Sequence, residues 1–394
     1  LVCSLLLLTQ CSIPPPEQLL NLEEICNLYG YPYESHEIHT SDGYILSLMR
    51  IPNGLSNADI GPRPPILLIH SFSDSAVFWA LHGVDDSPAF YLAERGYDVW
   101  MINQRGTSTS LAHETLDWTV DRDYWHTSWL EYSYDYEASI QYMVDNTEYS
   151  TVAVAVCNMY NSQFFTGIST NPDFYSERVS IVFALGAVLQ YQYTSLMTIR
   201  AVCAFPQPIE IMLGIGLPYL SSPITTPIGS INSLVQEGFA AIFPFLAEFT
   251  VSFILLNESP AIYDVPTIVN TYSHQEQSVA VTFVQQIFQN CNSGLFQHFD
   301  YGSDMNMERY GTETPPEVAM ENINTPVAVF NSPIDQMNSE ENLEYMVQRL
   351  GDNLVYQQSY EGYGRDAYVA ASDMRYLDDV LELLESFPPQ PSTA

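Results

Sequence analysis

Side chains able to do acid-base or nucleophilic chemistry are thinly spread in this 394-residue chain, and the best place to look for them is a junction between a strand and a helix. Residues 151 to 172 read TVAVAVCNMYNSQFFTGISTNP, a β-branched run followed by an apolar helix start. A serine at such a junction becomes a nucleophile in the pattern Gly-x-Ser-x-Gly, because the flanking glycines let the backbone turn sharply and expose the hydroxyl. Here the five positions are Val156, Cys157, Asn158, Met159 and Tyr160. An asparagine amide is neither nucleophilic nor activated by a base. Ser162 lies four residues further on without glycine flanks, and reads as an ordinary helix-start hydroxyl. His36, His39, His70, His82, His113, His126, His274 and His298 are scattered, and no CxxC or His/Cys cluster suggests a metal. No cofactor is expected.

The elements that must position these residues are strand-like runs, PPILLIH, YDVWMIN, TVAVAVC, VSIVFAL and TPVAVFN, alternating with helical stretches. That rhythm predicts an α/β fold with a mostly parallel central sheet and helices on both faces. The length suits one large folded unit, and neither internal repeats nor coiled-coil heptads are visible.

Several blocks occur in a recognisable order: YPYESHEIHTSDGYILSLMRIPNG (Tyr31 to Gly54), LLIHSFSDSAVFW (Leu67 to Trp79), INQRGTSTS (Ile102 to Ser110), YWHTSWLEYSYDYEASIQYMV, GISTNP, LFQHFDYGSDMN and TPVAVFNSPIDQM. Together, from about Glu23 to Ser386, they resemble the acid lipase family of α/β-hydrolases, the animal gastric and lysosomal acid lipases and their insect relatives. The resemblance implies an α/β-hydrolase fold with an apolar helical cap. It also places the family's triad on Asn158, Asp335 and Arg365, so that only the acid survives. Arginine stays protonated and cannot serve as general base, and no histidine follows Asp335. The plain alternative for Asp335 is a polar residue closing a turn; a second role for both is an Asp335-Arg365 ion pair plugging the old catalytic floor. In the segment resembling the oxyanion loop, His70, Ser71 and Phe72, a serine stands in place of the glycine, adding a side chain where backbone N–H groups should approach the substrate. At the elbow, Cys157 and Met159 flank Asn158, and Val156 and Tyr160 replace both glycines, which predicts a relaxed or reshaped turn.

Residues 201 to 272 are apolar and rich in proline and glycine, and contain no basic residue. The resemblance makes this segment the cap, with Phe205, Met212, Leu213, Leu217, Phe239, Phe243 and Phe245 as candidate ligand-binding residues. A helical subdomain that only packs on the core is the alternative. The expected organisation is therefore residues 1–18 as a signal-peptide remnant and Pro-rich leader, 19–200 and 273–394 as the two parts of the core, and 201–272 as the cap.

Lysine does not occur, all 11 basic residues are arginine, and 47 acids leave a net charge of −36. Charged residues make up 15% of the chain, against about 25% on average, so missing cations produce most of the imbalance. Nucleic acid is excluded as a partner by repulsion. A cationic partner, self-association, solubility at high concentration, freedom from amine-directed chemistry and lineage composition remain open readings. The run Leu1 to Leu8 is too short to span a bilayer and resembles the end of a signal peptide, which predicts secretion. The Asn257-Glu258-Ser259 sequon agrees with that, although Pro260 follows it directly. Cys157 is expected as a buried thiol, and Cys203 with Cys291 as a pair that sequence cannot establish. The expected function is a secreted, catalytically inactive acid-lipase homologue that binds, stores or carries a hydrophobic small molecule (lipid, terpenoid or pigment), or serves as a bulk, yolk-type reserve. An anionic interaction protein with a vestigial pocket and an active acidic lipase or esterase are the alternatives.

Overall fold

The computed structural model of the chain describes residues 20–59, 61–72, 74–204, 219–220 and 278–393. Eight strands build the main sheet: β1 (Glu34–His39), β2 (Tyr44–Ile51), β3 (Pro65–Ile69), β4 (Asp98–Asn103), β5 (Val152–Cys157), β6 (Val179–Leu185), β7 (Val327–Asn331) and β8 (Leu354–Ser359). Their spatial order is β1-β2-β4-β3-β5-β6-β7-β8, and a two-residue strand, Ala112–His113, adds to β2. The first two pairings, β1 with β2 and β2 with β4, are antiparallel, and every later one is parallel. The five apolar runs picked out in the sequence are β3 to β7, the parallel heart of the sheet.

Those strands are apolar through their middles because both faces are covered, and their polar residues, Asp98 and Asn103 of β4, Ser180 of β6 and Asn331 of β7, fall at or next to strand ends. Every residue of β3, β4 and β5 is buried, whereas the edge strand β8 is half-buried to exposed. Alternation along β5 divides the core in two. Val152, Val154 and Val156 pack on one face with Trp100, Tyr136 and Phe164, and Ala153, Ala155 and Cys157 pack on the other with Phe183, Phe330 and Tyr376. This is the α/β-hydrolase architecture expected from the sequence.

Local signals start the helices that carry the site. Ser128 and Glu131 form a capping box at the head of the helix Trp129–Asn146, and Asn21 with Glu24 does the same for Leu22–Tyr29, which ends on Gly30 in the left-handed region. The helix Trp129–Asn146 lies tightly on Asn161–Thr170: a Cβ added to Gly167 would meet Ser133 Cβ at 2.4 Å. Tyr132 and Tyr136 of the YSYDYE tract are buried in this core. Asp135 of the same tract is buried too, bonded by the Arg105 guanidinium, which also reaches Asp42 and stacks 3.8 Å over Tyr44.

Cys203 and Cys291 are disulfide-bonded, joining the helix Met197–Ala204 to Val281–Ser293, and Cys157 is a fully buried thiol. Phe205, Met212, Leu213, Leu217, Phe239, Phe243, Phe245, Asn257 and the leader 1–18 lie outside the described residues. Among the described residues no helix is long and apolar enough to cross a membrane.

Candidate functional site

β5 delivers Cys157 to the C-terminal edge of the sheet, and a single turn of 3₁₀ helix, Asn158–Tyr160, leads into the helix Asn161–Thr170. Asn158 has φ of +50°, the only positive value at a non-glycine position among the described residues. The expectation of a relaxed turn is thereby corrected. The strained strand-to-helix elbow persists without its glycines, because asparagine tolerates the left-handed region better than other side-chain-bearing residues. The bulky flanks fit because their space is already apolar. Val156 belongs to the core, and the Tyr160 ring packs against Phe283 at 5.8 Å, Tyr132 at 6.3 Å and His70 at 5.5 Å. Asn161 ties the turn down from below, donating from Nδ2 to the carbonyls of Val156 and Asn158, each at 3.0 Å.

The loops after β3, β6, β7 and β8 bring the remaining groups to this turn. Asp335, on the loop after β7, is buried and accepts the Met337 N–H on Oδ1 at 2.8 Å. Burial pushes its carboxyl up to about 6, against the pull of the Met337 N–H and the Arg365 guanidinium. Asp366 is buried as well, and accepts from Asn158 Nδ2 at 3.3 Å. Its ionisation is also opposed by burial and favoured by Arg365 and the Asn158 amide. Gly186, at the end of β6 with φ of +56°, leaves the space between them: a Cβ there would stand 2.7 Å from Asn158 Oδ1 and 3.5 Å from Asp335 Oδ2.

The three positions expected from the resemblance, Asn158, Asp335 and Arg365, therefore converge at one end of the sheet. The ion pair expected between Asp335 and Arg365 is placed differently. The carboxylate beside the guanidinium is its chain neighbour Asp366, with Nε to Oδ1 at 3.9 Å, while Asp335 feels Arg365 through space. Arg365 Nη2 also approaches Met159 Sδ at 3.9 Å.

His70 is fully buried, with Nδ1 against the Ser71 carbonyl at 2.9 Å, and burial lowers its pKa to about 4, so the imidazole is neutral. The Ser71 hydroxyl is buried with no hydrogen-bond partner, and Phe72 packs on Phe283 at 5.3 Å. Cys157 is buried at the end of β5, and burial with the nearby carboxylates of Asp366 and Asp74 pushes its thiol well up, leaving it inert. Ser162 donates to the Val188 carbonyl at 2.6 Å and meets Tyr191 Oη at 3.0 Å, a structural bond inside the core.

Sequence reasoning missed Asp366 and Gly186. Asp366 adjoins Arg365 in YEGYGRDAY and could have been weighed as a second acid. Gly186 carries no signal short of the fold, since its role comes from three loops meeting. Chemically, the constellation offers an amide, two carboxylates and a guanidinium, without the hydroxyl or thiol nucleophile beside an imidazole base that the elbow positions of a lipase-like hydrolase would provide. Among the described residues no group of His, Cys, Asp and Glu could hold a metal.

Residues 22–83 match the family described as the partial alpha/beta-hydrolase lipase region. Lipase member K of Homo sapiens is 27% identical over 379 residues, covering 94% of this chain and 92% of that protein. Gastric triacylglycerol lipase of Rattus norvegicus is 29% identical over 376 residues, covering 91% and 89%. Among solved structures, esterase RhEst1 from Rhodococcus sp. ECU1013 aligns over 90% of this chain and 99% of its own with 11% identity and a TM-score of 0.49.

Proposed function

We propose, for a chain that belongs to the acid-lipase-like family of α/β-hydrolases, the role of a secreted homologue that holds a hydrophobic small molecule without hydrolysing it. One observation carries the reading: the left-handed elbow presents the Asn158 amide among Asp335, Asp366 and Arg365. Ester hydrolysis in such a site needs a hydroxyl or thiol nucleophile and a base that can take its proton. The amide supplies no nucleophile, the guanidinium does not accept a proton at physiological pH, and the one thiol at the turn is buried and protonated. Retention of the elbow supports a kept site, since a left-handed non-glycine residue costs on the order of 1 kcal/mol or more unless its surroundings hold it. Residues 201–272 act as the cap in this reading and supply the apolar walls. Carriage and bulk storage are both compatible with a ligand that is bound and not turned over.

Native mass spectrometry of the protein from its source tests the binding half: a stoichiometric lipid, terpenoid or pigment adduct is expected, and an empty chain removes it. Hydrolysis of a p-nitrophenyl ester tests the other half. The expected rate equals the buffer background, and turnover abolished by a serine-directed fluorophosphonate would establish an active esterase instead.

A further inference from the structure

One amide stands between two buried carboxylates, and its two ends are not equivalent. Asn158 Nδ2 donates to Asp366 Oδ1 at 3.3 Å. Asn158 Oδ1, buried with its residue, has no hydrogen-bond partner. It faces the bare Cα of Gly186 together with Asp335 Oδ2, the two oxygens lying 2.7 and 3.5 Å from where a Gly186 Cβ would stand. Both oxygens thus border the space that Gly186 leaves open, and an ionised Asp335 would put a negative charge beside an unsatisfied amide oxygen in a buried site, where that costs more than in solvent. A proton on Asp335 would instead offer a donor beside that acceptor.

We infer that Asp335 and Asp366 share one proton across the Asn158 amide, with the proton resident on Asp335 and the charge on Asp366. The asymmetry has a cause outside the amide. The Arg365 guanidinium lies 3.9 Å from Asp366, which stabilises charge there, and Asp366 disfavours a second charge on Asp335. The other titratable groups facing the cluster are Tyr368 from the helix Ala367–Ala370, Cys157 from β5 and Asp74 from the loop after β3. Tyr368 and Cys157 are both pushed up by burial, so they carry no competing charge near neutrality. The acid that the resemblance would have orient a histidine thus acts here as a hydrogen-bond donor that fixes the elbow amide. When pH rises and Asp335 ionises, the amide turns to offer Nδ2 to the new charge, and the clasp on Asp366 opens.

The test uses the full chain and its Asp335→Asn variant, in which a neutral amide donor replaces the carboxyl. Unfolding equilibria are measured from about pH 5 to about pH 8. With the Asp335 carboxyl moved from 3.8 to about 6, its contribution lowers the wild-type ratio of folded to unfolded protein by about tenfold over that range. The variant is expected to lack this fall while keeping the pH dependence due to every other group. The second readout, which needs no variant, is the side-chain NH₂ resonance of Asn158 in asparagine-labelled wild type. It should move with a midpoint near 6 and, in a folded variant, stay still. An Asn158 amide silent across the range, or a variant with the wild-type pH profile, overturns the shared proton.

Discussion

At the scale of the residue, Asn158 decides what the elbow can be. Its φ of +50° is a conformation that asparagine and glycine accept and β-branched residues resist. Asn158→Gly should therefore stay within about 1 kcal/mol of wild type, easing the backbone while losing the bond to Asp366, whereas Asn158→Val should cost about 2 kcal/mol more. Urea unfolding of the two variants gives the ordering, and equal losses would mean that the left-handed turn relaxes on substitution. Gly186 is the matching position across the site. At φ of +56°, with Asn158 Oδ1 2.7 Å from an added Cβ, Gly186→Ala should destabilise by about 2 kcal/mol and displace the Asn158 amide resonance.

At the scale of the element, two ties hold the sheet's covering layers. Arg105 joins the loop after β4 to Asp135 on the helix Trp129–Asn146 through two bonds of 2.9 and 2.6 Å, both partners being buried. Removing the cation leaves a carboxylate inside the core, so Arg105→Met should cost about 3 to 5 kcal/mol by urea unfolding. The disulfide Cys203–Cys291 closes a loop across 88 positions that contains most of the 201–272 segment. Reduction should lower stability by about 2 to 4 kcal/mol, read as a fall in thermal midpoint with dithiothreitol.

At the scale of the whole molecule, charge dominates. Arg50, Arg105, Arg178, Arg309, Arg349, Arg365 and Arg375 each stand against a carboxylate, so most of the few cations are already paired and the surplus of acids is left to repel. Raising the salt from about 20 mM to about 500 mM should therefore raise the thermal midpoint, since screening shortens that repulsion. An unchanged or lower midpoint would show that paired charges outweigh the surplus. The pH response has the same sign for a separate reason. Asp335 is raised from 3.8 to about 6, so it favours the folded chain while protonated. That contribution is complete below about 3.8 and is lost as pH climbs through 6.

Much of this protein is legible in one dimension. Apolar runs specify buried parallel strands because a strand covered on both faces leaves few places for a polar side chain, and β3 to β7 fall where those runs lie. The order of blocks pointed to the hydrolase scaffold, and the absence of lysine determined the charge. Three features needed the tertiary structure. The elbow kept its turn although its glycines are gone, because apolar neighbours around Tyr160 and the bonds from Asn161 hold it. Arg365 went to Asp366, and Gly186 opened the space for the Asn158 amide, because loops far apart in sequence meet at the end of the sheet. Composition and spacing determine which side chains a strand buries, but contacts among loop ends depend on how every strand between them is ordered in the sheet.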